Sequence, residues 1–301
     1  MTLSRRSLLA GAAGAGMLPL LPASAEPALL MRTIPSSGET LPAIGIGTSR
    51  RYEVEPTPDR IAPLRDAVER FVALGGRVID TAPSYGTAEE VLGLILEGGL
   101  RERVFLASKV AARGREAGLA EIERSFRRLR TNTLDLVAVH NLIDTQANLA
   151  ALRDLKGGGR IRYLGVTVWR DEQFGELEAV MARETLDFVQ VNYALDNRLA
   201  AERVLPLARD RGMAVMVNVP FGRDRLFGTV KDKPLPDWAS EFDCTSWPQF
   251  FLKYVLAHDA VTCPIPGMAK SAYVEDNLGA ARGRLPDPSH LRKMESFIDA
   301  V

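Results

Sequence analysis

Cysteine, histidine and net charge are all scarce in this chain. Its 301 residues hold two cysteines, Cys244 and Cys263, too few for a disulfide framework. Two buried free thiols are the expected state, with a single bridge between them as the alternative. The three histidines, His140, His258 and His290, lack metal-ligand spacing, so no metal is expected. Basic and acidic side chains balance at 38 each, which removes the electrostatic case for a nucleic-acid partner. No G-x-G-x-x-G follows the first apolar run, which weighs against an open dinucleotide-binding sheet. The apolar stretch from about Leu8 to Leu21 is interrupted by Pro19 and falls short of the ~20 residues a spanning helix needs.

That N-terminal stretch resembles an export signal. Ser4-Arg5-Arg6-Ser7-Leu8-Leu9 is similar to a twin-arginine motif, and Ala23-Ser24-Ala25 offers a small-x-small cleavage site. Residues 1–25 are expected to be removed, leaving residues 26–301 as a periplasmic protein without stable membrane insertion. An uncleaved anchor is the alternative. Twin-arginine export carries folded proteins.

After the signal, Met31-Arg32-Thr33-Ile34 and Leu41-Pro42-Ala43-Ile44 flank a Gly-containing turn and predict a hairpin. Eight short apolar runs then alternate with helical spacing: Ile44–Gly47, Arg77–Thr81, Val104–Lys109, Leu134–His140, Tyr163–Val168, Phe188–Tyr193, Ala214–Val219 and Val261–Ile265. Nearly continuous hydrophobicity fits strands covered by helices. Leu64, Val68, Phe71 and Val72 share one helical face that ends at Gly75-Gly76, and Leu119, Ile122, Phe126 and Leu129 repeat the pattern. Eight strand–helix repeats predict an α/β fold, a single-domain (β/α)8 TIM barrel with an N-terminal hairpin. An open doubly wound sheet is the competing architecture.

Three consecutive strands end in ionisable residues. Asp80 closes one, Lys109 the next and His140 the third, while Tyr85 lies on the loop just past Asp80. In a parallel barrel, catalytic side chains come from the C-terminal ends of different strands. Asp80, Tyr85, Lys109 and His140 are therefore expected to form one site.

These segments resemble the aldo-keto reductase family over nearly all of residues 26–301. The resemblance is carried by Ile44-Gly-Ile-Gly-Thr-Ser49, Ile79-Asp-Thr-Ala-Pro-Ser-Tyr-Gly86, Ala107-Ser-Lys109 and Leu136-Val-Ala-Val-His-Asn141. Arg160-Ile-Arg-Tyr-Leu-Gly-Val-Thr167, Val189-Gln-Val-Asn-Tyr193, Ile265-Pro-Gly267 and Asp276-Asn277 complete it. It implies hydride transfer from NADPH, with NADH as the alternative, to an aldehyde or ketone. Tyr85 would be the proton donor and His140 would position the carbonyl oxygen. A free phenol titrates near 10, and the Lys109 ammonium, held by Asp80, would lower that value.

The resemblance also implies a cofactor set of Gly47, Thr48, Thr167, Gln190, Asn218, Gly267, Lys270, Asp276 and Asn277. Two positions depart from the family pattern. Val168 stands where an amide side chain is usual, and Asn218 where an aromatic ring stacks on the nicotinamide. Lys270 is a lone cation in the loop after the last strand, where barrels commonly bind phosphate; a surface lysine is the alternative. Tyr52, Trp169 and Phe221 are candidate substrate-pocket residues. Aromatics in the long segment from Phe221 to Trp247 suggest an apolar carbonyl substrate, although packing of that segment would also use them. The protein is expected to act as a monomer. The competing functional reading is an NAD(P)H-binding redox sensor or subunit with little turnover.

Overall fold

Apolar runs that need cover on both faces assemble here into one closed parallel sheet. A computed structural model describes residues 27–301, and the expected export signal, residues 1–25, lies outside them. Strands β1 (Met31–Thr33) and β2 (Thr40–Pro42) pair antiparallel as the predicted hairpin. The sheet comprises β3 (Ile46–Gly47), β4 (Val78–Asp80), β5 (Phe105–Val110), β6 (Leu134–His140), β7 (Ile161–Thr167), β8 (Phe188–Asn192), β9 (Ala214–Asn218) and β10 (Val261–Pro264), all parallel and in sequence order.

Between and after these strands run α1 (Pro58–Ala73), α2 (Ala88–Ile95), α3 (Arg115–Arg128), α4 (Thr145–Gly157), α5 (Phe174–Arg183), α6 (Val204–Asp210), α7 (Arg225–Thr229), α8 (Trp247–Leu256), α9 (Ser271–Gly279) and α10 (Pro288–Asp299). The segment expected to be one long loop after β9 therefore holds α7 and opens α8. Its aromatics pack together: Trp238 lies 5.6 Å from Phe250 and Trp247 5.7 Å from Phe251, ring centre to ring centre. Cys244 and Cys263 are buried free thiols.

Closure occurs between β3 and β10. The Gly45 and Gly47 amides donate to Pro264 O and Pro266 O at 3.0 and 2.9 Å, and Gly47 bridges Gly267. The strands approach so closely that a Cβ on Gly47 would stand 2.5 Å from the Ile265 carbonyl oxygen. The seam therefore requires glycine.

Strand periodicity separates two cores. Side chains alternate in direction along each strand. One set, including Val78, Phe105, Ala107, Leu136, Tyr163, Phe188, Ala214, Met216, Cys263 and Ile265, fills the barrel interior, joined by Ile34 and Leu41 from the hairpin. The other set packs outward against the helices, for example Ile79, Leu106, Val137, Val166, Val189 and Val215. The hairpin is thus the floor of the barrel. Ser37 and Glu39 from its turn meet the Tyr163 hydroxyl at 2.7 and 2.8 Å.

Candidate active site

Polar residues continue the inward columns above this apolar plug. Phe105 and Ala107 on β5 lead to Lys109, Leu136 on β6 leads through Ala138 to His140, and Val78 on β4 leads to Asp80. On β7, β8 and β9 the same two-residue step places Thr167, Gln190 and Asn218. These side chains meet at a cavity of about 510 Å³ that is also lined by Gly47, Thr48, Tyr85, Trp169, Phe221 and Gly267.

At its base, Lys109 Nζ donates to Asp80 Oδ2 at 2.6 Å and to Thr81 O at 2.8 Å. Both charged side chains are almost wholly buried. Burial raises the Asp80 pKa, and the Lys109 charge and Gln190 amide offset only part of that rise. For Lys109 burial opposes the charge, but Asp80 and Tyr85 outweigh it and raise the pKa. A charged pair out of water is tolerable because each member has an oppositely charged, hydrogen-bonded partner.

Tyr85 is set by a tight turn. Its amide donates to Ala82 O at 3.0 Å, and its carbonyl accepts from Ala88 N at 2.9 Å as α2 begins. Gly86, with φ of +49°, takes the left-handed conformation needed just after it. The phenol ring stands edge-on to His140, with centroids 6.2 Å apart, and Lys109 Nζ is 5.1 Å from its centre. Burial raises the Tyr85 pKa and the Lys109 charge counters only part of it. Lys109 lowers the phenol as expected, but burial outweighs it, so the net shift is upward and the phenol is held protonated. Burial and the Lys109 charge push His140 down to about 3, leaving a neutral imidazole.

Thr167 and Gln190 are buried with their side chains at the cavity. Asn218 Nδ2 donates to Val168 O at 2.9 Å, while its buried Oδ1 has no partner among the described residues. Thr48 lines the cavity, but its hydroxyl is committed to Asp80 O at 3.0 Å. Trp169 and Phe221 line the cavity as expected. Tyr52 does not. It is wholly buried, its hydroxyl donates to Met268 O at 3.0 Å, and it fills the core beneath the loop after β3.

Lys270, Asp276 and Asn277 are not brought to this cavity. Lys270 is exposed at the start of α9, and Asp276 and Asn277 lie along that helix. The Asp276 carboxylate accepts from the Ser246 hydroxyl at 2.6 Å and the Gln249 amide at 2.9 Å. Sequence reasoning missed the cationic rim. Arg50, Arg51 and Arg223 line the cavity beside Glu53 and Asp224, adding charge to the aromatic lining of Trp169 and Phe221. Arginines in loops carry no periodicity, so only their number between strand ends could have drawn notice.

A sequence model described as the Aldo/keto reductase family matches residues 43–296. Methylglyoxal reductase YeaE of Escherichia coli is 34% identical over 259 residues, covering 82% of this chain and 88% of that protein. Among solved structures, an aldo-keto reductase from Klebsiella pneumoniae in complex with NADPH aligns with a TM-score of 0.76 at 27% identity, covering 90% of this chain and 96% of that one. A second structure from that organism, in complex with NADP and acetate, aligns with a TM-score of 0.75 at 28% identity, covering 88% and 94%.

Proposed function

The chain belongs to the aldo/keto reductase family, and from that premise we propose that it reduces an aldehyde or ketone to the alcohol with NADPH, Tyr85 giving the proton. The observation that carries this reading is the convergence of Tyr85, Lys109, Asp80 and His140 on one cavity. The NADPH-bound Klebsiella relative and the methylglyoxal reductase support the cofactor and the reaction class.

Residues at the strand ends fit a nicotinamide carboxamide. That group offers both donors and an acceptor, and Asn218 presents a buried oxygen lacking a donor beside the Thr167 and Gln190 side chains. Gly267 and Lys270, at the loop that leads into α9, are the residues we assign to the phosphates, since a helix N-terminus offers free amides to an anion. When bound, the cofactor supplies the hydride.

The protein's own groups do the remainder. Neutral His140 donates a hydrogen bond to the carbonyl oxygen, orients it and stabilises developing negative charge. Tyr85, protonated at neutral pH, delivers its proton to that oxygen. Lys109 then faces a forming phenolate, whose charge it stabilises at the moment it appears, and Asp80 keeps the ammonium aimed.

NADPH oxidation against methylglyoxal and a reactive aromatic aldehyde tests this, with Tyr85→Phe alongside. The variant should lose about a thousandfold, the scale of a positioned proton donor. Equal turnover by both proteins would remove Tyr85 from the chemistry. A wild type that binds NADPH yet turns over neither aldehyde would favour the redox-sensor reading.

We further propose periplasmic export, supported by Ser4-Arg5-Arg6 and Ala23-Ser24-Ala25. N-terminal sequencing of protein from the native cell checks it; an intact Met1 in a cytoplasmic fraction would defeat it.

A further inference from the structure

Beside the catalytic cavity lies a second one of about 750 Å³, among the loops that follow β7, β8 and β9. Asn141, Trp169, Val219 and Arg223 line both cavities and so form the wall between them. Three of these four have left-handed backbones: Asn141 at φ +53°, Val219 at +52° and Arg223 at +55°. For a β-branched residue such as Val219 this conformation is an outlier that persists only when its surroundings enforce it.

The enforcement is visible on either side of Arg223. Gly222, at φ +58°, lies so near Asp196 that a Cβ would come within 2.5 Å of Oδ2, and Arg225 ties to the same carboxylate at 3.0 Å. Asp224 pairs with Arg51 at 3.4 Å, from the loop after β3. Its neighbours are thus spent in ion pairs that fix the loop. Among the described residues no ion pair joins Arg223, Arg50 or Arg170 to a carboxylate, the nearby pairs being Arg51–Asp224 and Arg225–Asp196, although Glu53, Asp171 and Glu172 also line the two cavities. The Arg223 guanidinium lies 3.9 Å from the centre of the Trp169 ring, and that of Arg170 lies 4.5 Å from it.

We propose that the substrate is a carbonyl compound bearing a carboxylate, and that Arg223, at the wall between the cavities, binds that carboxylate while the carbonyl lies at Tyr85 and His140. This deepens the reductase reading and rests on it. Uncompensated guanidiniums held close to one another repel, and an anion between them removes that cost. Burial and the charges of Arg50, Arg170 and Arg225 all act against the charge on Arg223, which also responds to Tyr85. Arg223 and Tyr85 line the same cavity, so the guanidinium and the reacting group can engage one bound molecule. The direction of Arg223 separates it from the cofactor phosphates. Arg223 leaves the loop after β9 and turns back across the end of β8 to Trp169, whereas Gly267 and Lys270 follow β10 on the opposite side of β9.

A matched pair of aldehydes tests the assignment: 4-carboxybenzaldehyde and its methyl ester, with wild type and Arg223→Gln. Wild type should favour the acid in kcat/KM by about tenfold, the scale of a charge-assisted hydrogen bond, and the preference should shrink as salt rises. Arg223→Gln should bring the ratio towards one while the Kd for NADPH, read by fluorescence, stays put. A wild type that prefers the ester would overturn the proposal. So would a variant that keeps the ratio but loses NADPH affinity, since Arg223 would then belong to the cofactor. Calorimetry with the alcohol product, 4-(hydroxymethyl)benzoate, against its ester reads anion recognition without turnover. Selective binding of the acid in a protein that reduces neither aldehyde would leave the anion site standing and fell the reductase. Equal binding of both would fell the anion site.

Discussion

Lys109 and Asp80 face each other across adjacent strands, 2.6 Å apart and both almost wholly buried. Replacing Lys109 with Met should therefore do two things. Turnover should fall steeply, because no charge remains to meet the Tyr85 phenolate. Stability should drop by about 3–5 kcal/mol, because a buried carboxylate is left without its partner. Adding Asp80→Asn should restore much of the stability and none of the activity. Thermal melts and single-turnover rates on the two variants check this; an undiminished rate in Lys109→Met would contradict the mechanism.

His140 is neutral far below the usual histidine range, at about 3. Its protonation should leave no limb near pH 6.5 in the kcat/KM profile for reduction. The folded pKa lies below the unfolded one, so the unfolded chain takes up more protons as pH falls from 6.5 towards 3. His140 thus contributes stability that is fully present above pH 6.5 and lost across that window, by up to about 1.4 kcal/mol per pH unit. Denaturant melts of wild type and His140→Asn at pH 7 and 4.5 should show a smaller acid loss in the variant. Equal losses would mean that the imidazole is protonated in the fold.

The barrel seam should tolerate no side chain at Gly47. An alanine Cβ would meet the Ile265 carbonyl oxygen at 2.5 Å, and backbone cannot yield as a flexible side chain would. Gly47→Ala should cost about 1–3 kcal/mol by overpacking. A melting temperature equal to wild type would show that the seam opens without penalty.

Asn218 offers a buried oxygen that nothing in the described protein satisfies. If it takes a hydrogen from the nicotinamide carboxamide, Asn218→Val should raise the Kd for NADPH about tenfold, as the loss of a buried hydrogen bond implies. Fluorescence titration reads this directly. Unchanged affinity would assign Asn218 to its bond with Val168 alone.

Much of the site was legible because the chain's patterning is simple at Asp80, Lys109 and His140, where apolar runs end abruptly at a single ionisable group. The hairpin was legible for a similar reason, since two apolar runs flank one turn. Other features depend on what the fold brings together. Tyr52 reads as a loop aromatic, and only the tertiary structure shows its hydroxyl under Met268. β3 is just two residues long because closure there runs through glycine backbone, which hydrophobicity cannot reveal. The upward shift of Tyr85 is set by burial, a quantity that spacing does not encode. Arg223 gains its place from a strained loop and a ring two strands away, and nothing near it in sequence announces either.

The cavity lining is divided along the chain as well as around the barrel. The groups assigned to chemistry, Asp80, Tyr85, Lys109 and His140, come from β4, the turn after it, β5 and β6, whereas Thr167, Trp169, Gln190, Asn218 and Arg223 all come from β7 onward. The stretch between β6 and β7 thus divides the strand-end groups into two runs of sequence, one carrying the proton chemistry and the other most of the remaining lining. A substitution confined to the later run can therefore reshape the cavity wall without touching the Lys109–Asp80 pair.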